Sequence, residues 1–241
     1  MRVAALLCTL ALAAACDVRF PGRPAPLTAP LRPSLQLDFT VLYASNCAGC
    51  HGPDGLGGAS VELGNPLYLA FADDAVLTQV TANGVPGTAM PAFAQSAGGM
   101  LTDAQVQALV HGMRTRWGKP DVLRGTESPP YAATVAGDAV RGAQAYATFC
   151  ARCHGPTGRG GPKASAIVDG TYLALVSAQH LRTTVLVGRP ELGAPDWRAD
   201  VPGRPMTAED VSDVVAWLGQ QRLAFPGQPY PSASAAAGER K

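Results

Sequence analysis

Two pentads hold the residues best suited to chemistry: Cys47-Ala48-Gly49-Cys50-His51 and Cys150-Ala151-Arg152-Cys153-His154. Two thiols three positions apart can reach the two vinyl carbons of one porphyrin. The His that follows then lies under the iron as its proximal ligand. The spacing therefore predicts two covalently attached haem c groups. Cys47, Cys50, Cys150 and Cys153 would be the thioether donors, and His51 and His154 the iron ligands. Zinc fits poorly, because a structural zinc takes four ligands. Each pentad offers three, and the chain has only four His. A thioredoxin-type dithiol would want a βαβ context, and none is readable here.

The elements that must position these residues come twice. Tyr43 to Gly58 reads YASNCAGCHGPDGLGG, and Tyr146 to Gly161 reads YATFCARCHGPTGRGG. Tyr68-Leu69-Ala70 then matches Tyr172-Leu173-Ala174, Gly84 meets Gly188, and Leu101-Thr102-Asp103 meets Met206-Thr207-Ala208. This is an internal duplication. Each copy predicts a helix running into the pentad, a Gly-rich loop, and a middle helix (Asp73 to Asn83; Ser177 to Val187). A loop and a capped closing helix follow. Thr102 precedes Val106, Leu109, Val110 and Met113 at helical spacing. Thr207 precedes Val211, Val214, Val215 and Leu218 in the same way.

Length and composition bound the rest. The 241 residues carry a net charge of +1, which argues against a nucleic-acid binder. The first 15 residues read as a secretion signal, with Arg2, an apolar run and Ala13-Ala14-Ala15. Cys16 follows at once, in the lipobox-like Leu12-Ala13-Ala14-Ala15-Cys16. Lipidation of Cys16 competes with plain cleavage at the same bond. A free thiol in an oxidising compartment is a liability, which favours the lipid anchor. With four cysteines on haem, Cys8 in the leader and Cys16 at its end, none remains for a structural disulfide. The domain plan is a leader over 1–15, a Pro-rich tether over 16–34 and a first haem domain over 35–118. A linker over 119–136, a second haem domain over 137–225 and a disordered tail over 226–241 complete it.

Both copies resemble class I c-type cytochrome domains, arranged as in tandem di-haem cytochromes. The resemblance covers about Leu35 to Trp117 and Ala136 to Ala224. It implies an all-α fold of two tandem domains, each a few helices wrapped around a covalent haem. In the second copy, Gly142 and Tyr146 are similar to the small/aromatic pair where the family's first helix crosses its last. In the first copy only Tyr43 matches, with Phe39 where Gly is expected.

The sixth ligand separates the copies. Gly87-Thr88-Ala89-Met90-Pro91-Ala92-Phe93 is similar to the family's Met-Pro-aromatic loop, so Met90 is the expected second ligand of haem 1. Counting from Gly84 and Gly188, Met90 falls on Ala194, which cannot ligate iron. Three readings stay open for haem 2. Met206 swings in, the iron is five-coordinate or holds water, or another residue such as His180 binds. The three tryptophans read mainly as packing, with Trp197 the one expected to touch haem.

The first domain has six carboxylates (Asp38, Asp54, Glu62, Asp73, Asp74, Asp103) against Arg114 and Arg116. The second has eight carboxylates and nine bases, among them Arg152, Arg159, Lys163, Arg189, Arg198 and Arg204 near the haem-binding segments. Such asymmetry predicts different docking partners at the two ends. No substrate pocket or catalytic base is readable, so one-electron transfer is the leading expectation. The partners would be a membrane-bound quinol-oxidising complex, an oxidase or another cytochrome, on the periplasmic side of the inner membrane. Peroxidase-like or gas-binding activity at an open second haem is the alternative, with Asp196 or Glu191 as candidate distal acids. A subunit held permanently in a larger complex is a third possibility.

Overall fold

Short polar residues start nearly every helix. Asp38 accepts from the Val41 N–H, Asn65 from Leu67 and Asp73 from Val76. In the second copy Asp138, Asp169 and Ser177 do the same. Thr102 and Thr207 form full capping boxes with Gln105 and Asp210. Each such cap is worth about 1 kcal/mol.

The computed structural model describes residues 31–198 and 201–223. The leader, Cys16, most of the tether and the tail over 226–241 lie outside them. Pro33–Leu35 form a short 3-10 turn. From Gln36 onward the described chain forms one compact body. The first copy contributes α1 (Phe39–Asn46), α2 (Ala48–His51), α3 (Pro66–Phe71), α4 (Asp74–Asn83) and α5 (Asp103–Trp117). The second contributes α6 (Ala139–Phe149), α7 (Ala151–His154), α8 (Gly170–Leu175), α9 (Ala178–Val187) and α10 (Ala208–Gln220). Among the described residues there is no strand, and no helix is long and apolar enough to cross a membrane. The predicted middle and closing helices are present in both copies. The short helices α3 and α8 are additions, too brief to show a period in sequence.

In each copy the closing helix crosses the first: α5 on α1, and α10 on α6. The two crossings solve one packing problem in opposite ways. In the second copy Gly142 lies so close to α10 that a methyl group there would enter the Asp213 carbonyl. Trp217 on α10 stacks on Tyr146, ring centroids 4.2 Å apart. In the first copy the small residue has changed helix. Phe39 stands in the register of Gly142, and Gly112, in the register of Trp217, receives the Phe39 ring. The departure at Phe39 is thus compensated 73 positions later, on the facing helix.

A guanidinium caps α3 and α8 alike, from different positions. Arg114 donates to the carbonyls of Leu69 and Ala72. Arg222, three residues past the aligned position and beyond the end of α10, donates to those of Leu173 and Val176. Both satisfy C-terminal carbonyls that a helix leaves orphaned.

The segment over 119–136 is more than a tether. Arg182 is 2% exposed and has no carboxylate partner among its bonds. It donates to the carbonyls of Pro130 and Tyr131 and to Ser212. Gln179 donates to the Tyr131 carbonyl as well. The Tyr131 hydroxyl meets the buried Tyr68 of the first copy. Buried apolar residues of both copies accordingly form a single connected cluster.

The α6–α10 crossing carries an acid-sensitive clamp. Arg141 Nε donates to Asp213 at 2.7 Å, and the Asp138 N–H donates to the same carboxylate at 2.6 Å. The Arg141 hydrogen bond holds the Asp213 carboxyl below the usual carboxylate range. Since the folded-state value is the lower one, the clamp's contribution is complete above about pH 4 and fades as the pH falls through the folded value. Asp213→Ala is expected to cost about 2 kcal/mol near neutral pH, discounted because Arg141 is solvent-exposed. The difference from wild type should shrink in acid. Urea unfolding between pH 3 and 7 measures it, and a pH-independent difference would contradict the assignment.

Candidate haem sites

Each pentad begins at the C-terminal end of a helix that its tyrosine ties down. The Tyr43 hydroxyl donates to the Gly52 carbonyl at 2.9 Å, and Tyr146 to Gly155 at 2.5 Å. Two aromatic side chains brace these turns from the closing helices: Trp117 beside Tyr43, and Trp217 on Tyr146. None of the four pentad cysteines is in a disulfide; Cys50 is exposed and the others are partly buried. Burial, reinforced by Cys50, pushes the Cys47 thiol up to about 11.

Both histidines are already oriented. His51 Nδ1 lies 2.7 Å from the Val61 carbonyl, and His154 Nδ1 lies 2.8 Å from that of Ser165. A carbonyl only accepts, so Nδ1 carries the proton and Nε2 presents its lone pair. Burial pushes the His51 imidazolium down, against the opposing pull of the Val61 carbonyl, which keeps the ring neutral. A hydrogen-bonded imidazole beside two thiols is the donor set haem c requires, with the outer hydrogen bond that fixes such ligands.

The ligand loops are built on matched glycines. Gly84 and Gly188 each have φ of 67°, and a side chain on either would collide with the loop backbone at Met90–Pro91 or Ala194–Pro195. The Val85 N–H donates to the Met90 carbonyl at 3.0 Å, and that of Arg189 to the Ala194 carbonyl at 2.9 Å. Ala194 therefore takes the place of Met90 in three dimensions as in sequence. Met206 holds a different place. Its N–H donates to the Trp197 carbonyl at 2.8 Å, as that of Leu101 donates to Phe93 at 2.7 Å. Like Leu101, Met206 is buried. Its sulfur would approach an iron from the start of α10, not from the loop.

Several polar and aromatic residues have partners that the sequence did not show. Trp197 is buried with its ring edge-on to Phe71 of the first copy, centroids 5.2 Å apart, and Arg198 lies over it. His180 lines a small void with Val61 and Glu62 of the first copy. Burial first, then Arg189 and His51, push it down from its ordinary value. Arg198 is held by Asp196 at 2.7 Å, and Arg189 by Glu191 at 2.5 Å. Both cations are partly exposed and paired with a carboxylate close by in the chain. Asp196 and Glu191 are likewise engaged. Burial raises the Glu191 carboxyl, and Arg189 more than offsets this, leaving it below its ordinary value. Sequence reasoning missed the Arg189 contacts, which join residues more than a hundred positions apart.

Helices closing over an oriented Cys-x-x-Cys-His turn, with a glycine-based ligand loop opposite, define a c-type cytochrome domain, here present twice. Comparison with known families agrees. A family described as cytochrome c oxidase, cbb3-type, subunit III, matches residues 37–111, and the cytochrome c family matches residues 139–222. The chain therefore carries two cytochrome c-type domains in tandem, and its cofactors are two haem c groups, one at each pentad.

Among curated proteins it is similar to the cytochrome bc1 complex cytochrome c subunits of Mycobacterium tuberculosis and Mycobacterium bovis. Each is 26% identical over 181 residues, covering 73% of this chain and 60% of the relative. The Mycobacterium leprae subunit is 26% identical over 151 residues, covering 61% of this chain and 50% of the relative. The chain thus spans only about half to three fifths of those relatives' length. Among solved structures, a reducing HAO-like protein complex of Kuenenia stuttgartiensis overlays on 76% of this chain and 95% of its own, at TM-score 0.45 and 16% identity.

Proposed function

We propose that this protein is a one-electron carrier or electron-transfer subunit on the outer face of a bacterial cytoplasmic membrane, held there by a lipid on Cys16. The observation that carries the reading is the pair of pre-oriented histidines, His51 and His154, each with Nδ1 on a carbonyl. Bound haem supplies a ferric/ferrous couple. The chain's residues hold it, exclude water from it and tune it. Cys47 and Cys50 anchor haem 1 while His51 and Met90 ligate its iron. Cys150 and Cys153 anchor haem 2 while His154 and Met206 ligate its iron. The mycobacterial relatives are named as subunits of a bc1 complex, which supports a quinol-oxidising complex as the electron donor. An oxidase or another cytochrome is the acceptor.

Ala194 in the place of Met90 supports a second reading, a gas-binding or peroxidase-like haem 2. Pairing of Asp196 and Glu191 with arginines counts against it, because a distal acid must be free to move a proton. An optical spectrum of the haem-loaded form cut after Cys16, reduced and then exposed to carbon monoxide, separates the two. A wholly low-spin reduced spectrum unchanged by carbon monoxide is expected for the carrier. Binding by about half of the haem would favour the alternative.

A further inference from the structure

The loop that lost its methionine grips the other domain. Arg189 stands at its base, in the register of Val85. From there it reaches Gly58 of the first domain, donating to that carbonyl at 3.4 Å, and lies 3.9 Å from the Glu62 carboxylate. Glu62 is 3% exposed and accepts from the Gly57 N–H at 3.0 Å. A carboxylate so buried needs a cationic partner. The first domain's own arginines pair elsewhere. The nearest cation is Arg189 of the second, which Glu62 shares with Glu191. Glu191 is itself 2.5 Å from Arg189 and hydrogen-bonded to Glu62. A second contact joins the two domains, where Phe71 meets Trp197 edge-on. Val61 and Glu62 of the first domain and His180 and Arg189 of the second line one small void of about 10 Å³.

The segment that Arg189 grips, Gly58 to Glu62, contains the Val61 carbonyl that orients His51. The segment it grips from, Gly188 to Trp197, is the ligand loop of the second domain. We propose that Arg189 is a positioning residue for electron passage between the two haems, with the Trp197–Phe71 contact as a second tie between the domains. With haem bound at both pentads, the electron lost by the iron His51 would hold would be the one gained by the iron His154 would hold, or the reverse, so the exchange balances with no proton or group moved. Tunnelling over a fixed, dry gap needs a fixed spacing, which a flexible linker alone would not give. The inference rests on the carrier reading above.

The test uses the two-haem protein with Arg189→Ala, Arg189→Lys, Trp197→Leu and, as a surface control, Arg124→Ala, whose side chain is exposed and paired only with Asp121 three residues away. Inter-haem equilibration is followed after flash reduction and compared at measured driving force. Amide hydrogen exchange over 57–62 and 188–193 is read in parallel. Arg189→Ala is expected to slow equilibration at least tenfold and to raise exchange on both segments together. Arg189→Lys should recover part of each effect, Trp197→Leu should slow equilibration, and the control should leave both at wild-type values. Wild-type rates in both Arg189→Ala and Trp197→Leu, or unchanged exchange in Arg189→Ala, would overturn the proposal. Should Arg189→Ala fail to fold, Arg189→Lys and Trp197→Leu decide it on the same readouts. Failure of the carrier reading looks different: wild type would then show no reversible one-electron reduction of either haem, while the exchange contrast persisted.

Discussion

Met90→Ala is expected to leave haem 1 covalently attached but open on one side. Carbon monoxide should then bind it, and its midpoint potential should fall by on the order of 100 mV or more, within the roughly 0.8 V that axial ligands span. The reasons are chemical. A thioether stabilises the ferrous state, and its loss favours ferric iron. The loop itself should survive, because its shape rests on Gly84 and the Val85–Met90 backbone bond rather than on the methionine side chain. Met206→Leu is the matching experiment in the second domain. Leucine is already the residue at that register in the first, at Leu101, so packing is preserved and the stability change should stay below about 1.5 kcal/mol. Opening of haem 2 to carbon monoxide in this variant, with wild type closed, would establish the sulfur as its ligand. A redox titration that moves neither potential would sink the ligand assignments of both methionines.

How much of this could be read in the sequence depended on the range of the interaction. The pentads, the duplication and the capped helices are local patterns, and they lie where spacing predicted. So does the replacement of Met90 by Ala194, because the loop is anchored on two glycines that also align. What stayed hidden was set by partners far along the chain. Arg189 and Arg198 look alike as exposed bases in sequence, yet one grips Glu62 in the other domain and the other lies over Trp197. Arg114 and Arg222 do one job from positions that do not align, since a flexible guanidinium reaches the same carbonyls from either. The contact of the Trp197 ring with Phe71, a residue of the other copy, was hidden for the same reason.

The exchange of Phe39 for Gly142 and of Gly112 for Trp217 yields the sharpest stability prediction. Gly112→Ala places a methyl group inside the Phe39 ring. Overpacking of this kind costs roughly 1–3 kcal/mol. The obstruction is a side chain, so truncating it should help. Phe39→Ala alone loses a half-buried ring that contacts Tyr43 and Trp117, at roughly 2–3 kcal/mol, below the range for a fully buried Phe. The double variant should therefore be no less stable than Phe39→Ala, with a coupling energy of 1 kcal/mol or more between contacting sites. Gly142→Ala in the second domain should admit no such rescue. There the methyl group meets the backbone carbonyl of Asp213, which no substitution removes. Its expected loss is larger, and haem incorporation at Cys150 and Cys153 should fall with it, because α6 leads directly into that pentad. Thermal unfolding of the three first-domain variants, with haem content measured beside Gly142→Ala, checks both halves. Strict additivity at Phe39 and Gly112 would mean that the crossing tolerates either residue on either helix. The missing glycine would then be drift rather than compensation.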